Sequence, residues 1–395
     1  MPGRDKPRME SYRDLTQAVA SRQPRMLEMI GELVGVESPT EDRQAVNRCV
    51  GLLETWIKAS GGKSRRSKQR SAGDLLVGRF GPSRSAAKPL LLLGHLDTVW
   101  PLGTLGKMPF RVRGGRAWGP GVLDMKAGVV MALSALGLLR GKLTRPVIFL
   151  LNSDEETGSE HSRALTESLA RECGSVFVLE PAQGLAGAYK TARKGVGNYR
   201  LQVHGVAAHS GVDFGRGHSA VLELGRQIER ASAFTNLARG ITVNAGVIGG
   251  GTRSNVVAAE AWAEFDVRIA RAADSPRVDR RFRRLRAVDR GCTLEVTGGL
   301  NRPPMERTPG TVALFRRAAT MAAGLGFELQ EAATGGGSDG NFTSALGIPT
   351  LDGMGAVGEG AHADRESILI EALVPRTALL AAMIGGLSPE QAGNG

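Results

Sequence analysis

Apolar positions recur with two different rhythms along this chain. Up to about residue 190, helical spacing alternates with short runs that are apolar throughout. "SYRDLTQAVASRQPRMLEMIGELVGVES" and "DRQAVNRCVGLLETWIKASG" carry apolar residues at helical intervals, so the chain reads as helical to about residue 70. "DLLVGRF" and "PLLLLGHLDTV" then read as strands, the second apolar enough to lie centrally in a sheet. "DMKAGVVMALSALGLLRG" predicts a helix, "RPVIFLLNSDEE" a strand ending in acids, "ALTESLARECG" a helix and "SVFVLEPA" another strand. Strands alternating with helices imply a largely parallel α/β sheet covered on both faces.

From about residue 191 the period becomes two. "KGVGNYRLQVHG", "ITVNAGVIGG", "EAWAEFDVRIA" and "CTLEVTGG" alternate as half-exposed strands do, with helices expected near 217–234 and 275–289. That βαββαβ order predicts a compact α/β sandwich. After "NRPPM" the first rhythm resumes with a helix at 309–325, the Gly-rich "TGGGSDGNF", a short strand in "IPTLDGMG" and a last helix. The final "SPEQAGNG" reads as a frayed tail. The pattern predicts a larger domain in two pieces, 1–190 and 303–395, with a smaller domain, 191–302, inserted. A chain of 395 residues can build a sizeable core in each.

Composition is that of an ordinary globular protein, 42% hydrophobic and 23% charged. The net charge of +12 raises the question of nucleic acid. Yet "KSRRSKQR" (63–70) and "RVDRRFRRLR" (277–286) lack the interleaved aromatics that stack bases. In the second run Val278, Phe282 and Leu285 fall at helical spacing, so its arginines cover a solvated helix face. No nucleic-acid partner is expected, and the milder use of the charge is steering an anionic small substrate. The three cysteines, Cys49, Cys173 and Cys292, form no CxxC pair, which argues against a disulfide scaffold or a thiolate metal site. No apolar run is long enough to span a membrane, so a cytoplasmic protein without a membrane partner is expected.

The chemistry gathers at strand ends. "GHLDT" supplies His95 and Asp97, "GVLDMKAG" Asp124, "SDEETG" Glu155 and Glu156, "VLEPA" Glu180, and "EGAHADRE" His362. Sites form at the carboxyl ends of strands in open parallel sheets. His95 and Asp97 are two apart and share a face of an extended backbone, so Asp97 is placed to orient a metal-binding His95. Nitrogen and carboxylate donors without thiolates suit zinc first, with cobalt or manganese as alternatives. The two histidines and three carboxylates exceed the needs of one tetrahedral ion. They match a pair of ions about 3.5–4 Å apart that clamp a hydrolytic water. Glu155 and Glu156 point in different directions from a strand end, so one can ligate while the other moves protons. Asp154 is expected to face a loop or solvent.

"GHLDTV", "GPGVLDMKAG", "SDEETGSE", "VLEP", "AHSG", "GGGSD" and "GAHADRE" together resemble, in order and spacing, a family of dizinc hydrolases. It is the family of carboxypeptidase G, acetylornithine deacetylase, succinyl-diaminopimelate desuccinylase and aminoacylase. The likeness runs from about residue 30 to 380. It implies a catalytic domain holding two divalent metal ions and an inserted lid domain that forms a homodimer. Carried over by position, it implies that Asp124 bridges both ions. His95 and Glu180 would complete one site, Glu156 and His362 the other. Glu155 resembles the general base acting on the water between the ions, and Asp97 the partner of His95. A cis peptide is implied at Asp124–Met125. His209 in "GVAAHSG" matches a lid histidine that stabilises the oxyanion from the partner subunit, while His204 and His218 are read as structural.

Substrate residues follow from the same likeness. Asn255 in "RSNVV" and Arg268 in "DVRIA" match positions that hold a substrate carboxylate, for which an arginine fork is apt. The glycines of "GGGSDGNF", Gly336 and Gly337 among them, would let backbone amides approach such a group, and this stretch resembles the carboxypeptidase G branch. Glu180 stands where aminopeptidase-like relatives carry Asp, which leans toward carboxypeptidases and deacylases. Trp100 reads equally as pocket wall or core cap. The expectation is a dimetal amidohydrolase that releases a C-terminal amino acid, such as glutamate, from a small amide or peptide bearing a free carboxylate. The alternatives are an N-acyl amino-acid deacylase and a hydrolase of an unusual C–N bond such as an aromatic amine. A non-catalytic binding protein on the same scaffold is a remote third, because it predicts broken ligand positions and none is broken.

Overall fold

The run Leu90–His95 is a strand with all six residues buried, and so is Val147–Asn152. In the former, Leu90 and Leu92 join one apolar cluster while Leu91 and Leu93 join another, so the strand is covered on both faces. Its sheet runs in the order Lys63–Ser67, Leu75–Phe80, Val147–Asn152, Leu90–His95, Ser175–Val178, Thr350–Leu351. The first two junctions are antiparallel and the rest parallel, a mixed and mostly parallel sheet as the sequence predicts. The computed structural model describes residues 11–386, and the "SPEQAGNG" tail lies outside them. The chain divides into two compact units, one of residues up to 191 with 307–333 and 338 onward, the other of 192–306 with 334–337.

In the larger unit the helix Ala127–Leu138 is apolar on nearly every side and shares its cluster with Gln23–Gly35, Arg43–Ala59 and Ile370–Gly385. Two local readings need correction. The first helical stretch is two helices, Tyr12–Ala20 and Gln23–Gly35, the second opened by Pro24, which is tolerated only in a first turn. Lys63–Ser67, placed by its spacing among helices, is an edge strand antiparallel to Leu75–Phe80. Its basic side chains discourage further pairing along that edge. A hairpin unforeseen in the sequence joins Arg111–Arg113 to Arg116–Trp118 through Gly114 and Gly115, at φ of 62° and 72°. Positive φ at both central positions is the turn that glycine pairs favour. That hairpin pairs with Ser367–Leu369.

The smaller unit is a four-stranded antiparallel sheet in the order Thr242–Gly250, Glu260–Ile269, Gly195–His204, Thr293–Arg302. Helices Ala220–Ser232 and Ser275–Arg283 complete the expected βαββαβ order. Burial alternates along Gly195–His204, and its inward residues share a core with Val278 and Phe282. Phe282 stacks on Tyr199 with centroids 4.0 Å apart. The arginines of that helix serve the unit's own surface. Arg281 lies over the Phe234 ring and Arg283 donates to the carbonyls of Val296 and Gly298. No helix of the described residues is long and apolar enough to cross a membrane.

Candidate metal centre

Three neighbouring parallel strands bring their carboxyl ends to one edge of the larger unit's sheet. Leu90–His95 ends on His95, Val147–Asn152 runs into the turn Glu155–Thr157, and Ser175–Val178 is followed by Glu180. His95 Nε2 lies 3.1 Å from Asp124 Oδ1 and 3.5 Å from Glu180 Oε1. His362 Nε2 lies 3.4 Å from Asp124 Oδ2 and 3.3 Å from Glu156 Oε2. The two oxygens of one aspartate thus face two different imidazoles, each with a glutamate beside it. One ligand atom each from His95, Asp124 and Glu156 falls within a 4.8 Å group, and so does one each from His95, Glu155 and Glu180. The peptide Asp124–Met125 is cis, and His362 adopts a left-handed φ of 61°.

The donor set calls for positive charge. His95 Nδ1 is 3.0 Å from the main-chain carbonyl of Asp97, a contact that requires the proton on Nδ1. Nε2 therefore faces two carboxylates, with a lone pair in the neutral ring, an arrangement that is repulsive without a cation or a proton between them. Burial pulls the His95 pKa down, but hydrogen bonds to Asp124, Asp97 and Glu180 outweigh it and hold it well above the usual value. The carboxylates of Asp124 and Glu156 raise His362 to about 10. Burial would raise Asp124, yet the hydrogen bonds from His362 and His95 win and hold it far below the carboxylate range. Glu156 is pushed up by burial, and its Oε1 has no hydrogen-bond partner among the described residues. Nitrogen and carboxylate donors with an orphaned buried oxygen fit divalent metal binding.

Surrounding residues hold this set in place. Asp97 contacts His95 with both its main chain and its side chain. Its main-chain oxygen takes the imidazole, while its carboxylate oxygen Oδ1 lies 3.5 Å from Nδ1. The carboxylate also accepts from the Thr40 hydroxyl at 2.8 Å and from the N–H groups of Glu156 at 3.1 Å and Glu155 at 3.3 Å. Of the two surroundings expected for Asp154, a loop or solvent, it has the first: it is 2% exposed and faces the loop that follows its turn. Its side chain accepts from the N–H groups of His161 and Ser162 and its carbonyl from that of Ser159, closing the turn that carries both glutamates. Burial raises its pKa. Behind the turn lies Asp339, from "GGGSDGNF", which accepts from Asn152 Nδ2 at 2.6 Å and from the Ser159 hydroxyl.

Sequence reasoning missed Glu366. It is 1% exposed and accepts from the Trp100 indole and from backbone N–H groups beside Asp124. The only hint was an acid standing directly before the apolar "SIL". Trp100 is thereby tied into the fold by its polar end. Lys126 was missed too; it is buried, donates to the carbonyl of Val36 at 2.8 Å, and burial lowers its pKa.

The other expected residues belong to the smaller unit. His209 is exposed; its main-chain N–H donates to Asp213, and its Nδ1 accepts from the N–H of Gly211 at 3.1 Å. That acceptance places the ring proton on Nε2, so the exposed edge of the neutral ring is a donor. Ser210 N–H donates to the carbonyl of Asn255, which sets the His209 and Asn255 segments side by side. Arg268 makes a bidentate pair with Asp266, at 2.8 and 2.7 Å. The carbonyls of Gly336 and Gly337 accept from Arg193 Nη1, at 3.2 and 3.0 Å.

The profile of Peptidase family M20/M25/M40 matches residues 91–385. Carboxypeptidase G2 of Pseudomonas sp. (strain RS-16) is 30% identical over 380 residues, covering 94% of this chain and 91% of that one. A succinyl-diaminopimelate desuccinylase of Beijerinckia indica is 32% identical over 246 residues, covering 56% of this chain and 62% of that one. Among solved structures, aminopeptidase PepT from Bacillus cereus superposes with a TM-score of 0.75 at 21% identity, over 92% of this chain and 98% of that one. The M20 family metallo-carboxypeptidase Sso-CP2 from Sulfolobus solfataricus gives 0.73 at 17% identity, over 92% and 99%. These two likenesses concern the fold. The chain belongs to Peptidase family M20/M25/M40 and is a metal-dependent hydrolase of that family.

Proposed function

We propose that this hydrolase cleaves an amide bond to release a C-terminal amino acid, glutamate foremost, from a small acyl or peptidyl conjugate. The observation that carries the reading is the near full-length similarity to carboxypeptidase G2, over 94% of this chain, whereas the desuccinylases of Beijerinckia indica and Acidovorax ebreus match over 56% and 75% of it. On this reading His95, Asp124 and Glu180 would hold one divalent cation and His362, Asp124 and Glu156 the other, with zinc the first candidate. Support comes from the two oxygens of Asp124 facing different histidines. When bound, such a pair supplies Lewis-acid polarisation of the scissile carbonyl and makes a water more acidic.

The remaining work falls to this chain's own side chains. Glu155 takes a proton from the attacking water and returns it to the leaving nitrogen, a general acid–base contribution of about 10²–10⁴ in rate. Its turn is held by Asp97 and Asp154. His209 offers the Nε2 proton to the oxyanion, supported by the hydrogen bond that Gly211 makes to Nδ1. Asn255 and Arg268 receive the substrate's carboxylate, with Asp266 keeping the guanidinium fork in one plane until then. The backbone amides of Gly336 and Gly337 line the same subsite. The larger unit acts as the catalytic domain and the smaller as lid and dimer contact.

A panel of N-acyl and N-peptidyl amino acids given to metal-loaded enzyme tests the substrate class. Release of glutamate or aspartate from acyl or peptidyl conjugates is expected. Preferential cleavage of succinyl or acetyl groups from basic amino acids would favour the deacylase reading instead.

A further inference from the structure

Glu366 is four residues beyond His362 and reaches across to the segment that carries Asp124. Among the described residues, Oε1 accepts from the backbone N–H groups of Leu123 at 2.9 Å and Asp124 at 3.0 Å. Oε2 accepts from Gly121 N–H at 2.8 Å and from Trp100 Nε1 at 2.8 Å. We propose that Glu366 is a positioning residue that sets the spacing of the two metal half-sites by locking the Asp124 loop to the His362 loop. The inference rests on the metal reading above.

The reason lies in the backbone around Asp124. At φ −113° and ψ 94° it breaks the helical path between Gly121 and the helix that begins at Ala127. The N–H groups of Gly121, Leu123 and Asp124 lie ahead of that helix and have no i−4 carbonyl within it to donate to. Leu123 is 3% exposed, so water is no ready substitute, and an unpaired buried donor is costly. One carboxylate, with four lone-pair sites, takes these donors and the Trp100 indole together. Trp100 follows Asp97 by three residues, so the stretch after His95 is tied in as well.

Glu366 is itself held on the His362 side. Its N–H donates to the carbonyl of Ala363 and that of Ala363 to Gly360, and Ser367–Leu369 pairs with Arg116–Trp118. Three ligand-bearing segments therefore share one buried anchor. The distances from Asp124 Oδ1 to His95 and from Oδ2 to His362 both depend on it. An amide cannot replace it, because the NH₂ of glutamine would face N–H donors.

The test is metal binding by Glu366→Gln, read against the wild type by titrating chelator-stripped protein with Zn²⁺ or Co²⁺ and following folding by circular dichroism. The variant is expected to stay folded and to bind metal about 10–100-fold more weakly. A folded variant that binds both equivalents within about threefold of wild type would overturn the proposal, since ordinary loop anchoring leaves metal affinity unmoved. If Glu366→Gln does not fold, Trp100→Phe decides. It keeps the carboxylate and an aromatic ring while removing one donor, and about threefold or more weaker metal binding is expected. Unchanged affinity there would also overturn the proposal. Wild-type protein that takes up no metal would instead remove the metal reading beneath it.

Discussion

Asp97 accepts the backbone N–H of Glu156 at 3.1 Å through the same carboxylate oxygen that takes the Thr40 hydroxyl. One residue thus links the strand end bearing His95 to the turn bearing the two glutamates. Asp97→Ala leaves those donors without their acceptor in a region that is almost wholly buried. Metal affinity or activity should fall about 10–100-fold, as is usual when a residue supporting a metal ligand is lost. Metal titration and kinetics side by side measure it; wild-type values in both would remove Asp97 from the site.

The adjacent glutamates should separate by readout. Glu155→Gln is expected to keep its metal and to lose turnover by about 10²–10⁴-fold. Glu156→Gln should lose metal from the His362 side. Elemental analysis of the two purified variants distinguishes them, and an empty site in Glu155→Gln would show that the two roles are reversed or shared.

Chelation should abolish hydrolysis, and zinc, cobalt or manganese should restore it. Those cations accept the nitrogen and carboxylate donors present here. Activity that persists with the metal demonstrably removed would contradict the proposed site.

His209→Ala should lower kcat by about 10²–10³-fold, the size of losing one oxyanion donor, without changing metal content. Co-expression with Glu155→Gln tests whether the histidine acts across a dimer. Mixed dimers would then contain one site with both Glu155 and the partner's His209 intact, and activity should reappear. Failure of complementation in verified mixed dimers would place His209 in its own subunit's site.

Gly128 packs where the helix after Asp124 meets the strand end before Glu180. A Cβ there would stand 2.3 Å from the Leu179 carbonyl oxygen and 3.3 Å from Gly355 Cα. Both are backbone atoms, so they cannot swing aside as a side chain would. Gly128→Ala should cost about 1–3 kcal/mol of stability, as overpacked cores do. Urea denaturation measures it, and an unchanged midpoint would mean that the backbone there yields freely.

Local pattern goes far in this protein because burial leaves a local mark. "LLLLGH" and "VIFLLN" are apolar on both faces, and such strands belong inside a covered parallel sheet. The alternation in "GVGNYRLQVH" likewise marks a strand with one open face, and that strand is central in the antiparallel sheet. The edge strand Lys63–Ser67 and the hairpin at Arg111–Trp118 escaped because short, exposed strands carry little apolar period. Acids and histidines at strand ends were visible as candidates for the same reason of position.

What sequence order alone determined was the pair of sheets, the family likeness and the residue types at the strand ends. Only the tertiary structure decided which atoms meet. Nothing in a period of 2 or 3.6 registers that Glu366 and Asp124, 242 residues apart, share a hydrogen bond. Nor does it register that Asp154 turns inward, or that His95 meets the carbonyl of Asp97 before its carboxylate. Such contacts satisfy buried donors and acceptors, and each partner is chosen by the folded backbone around it.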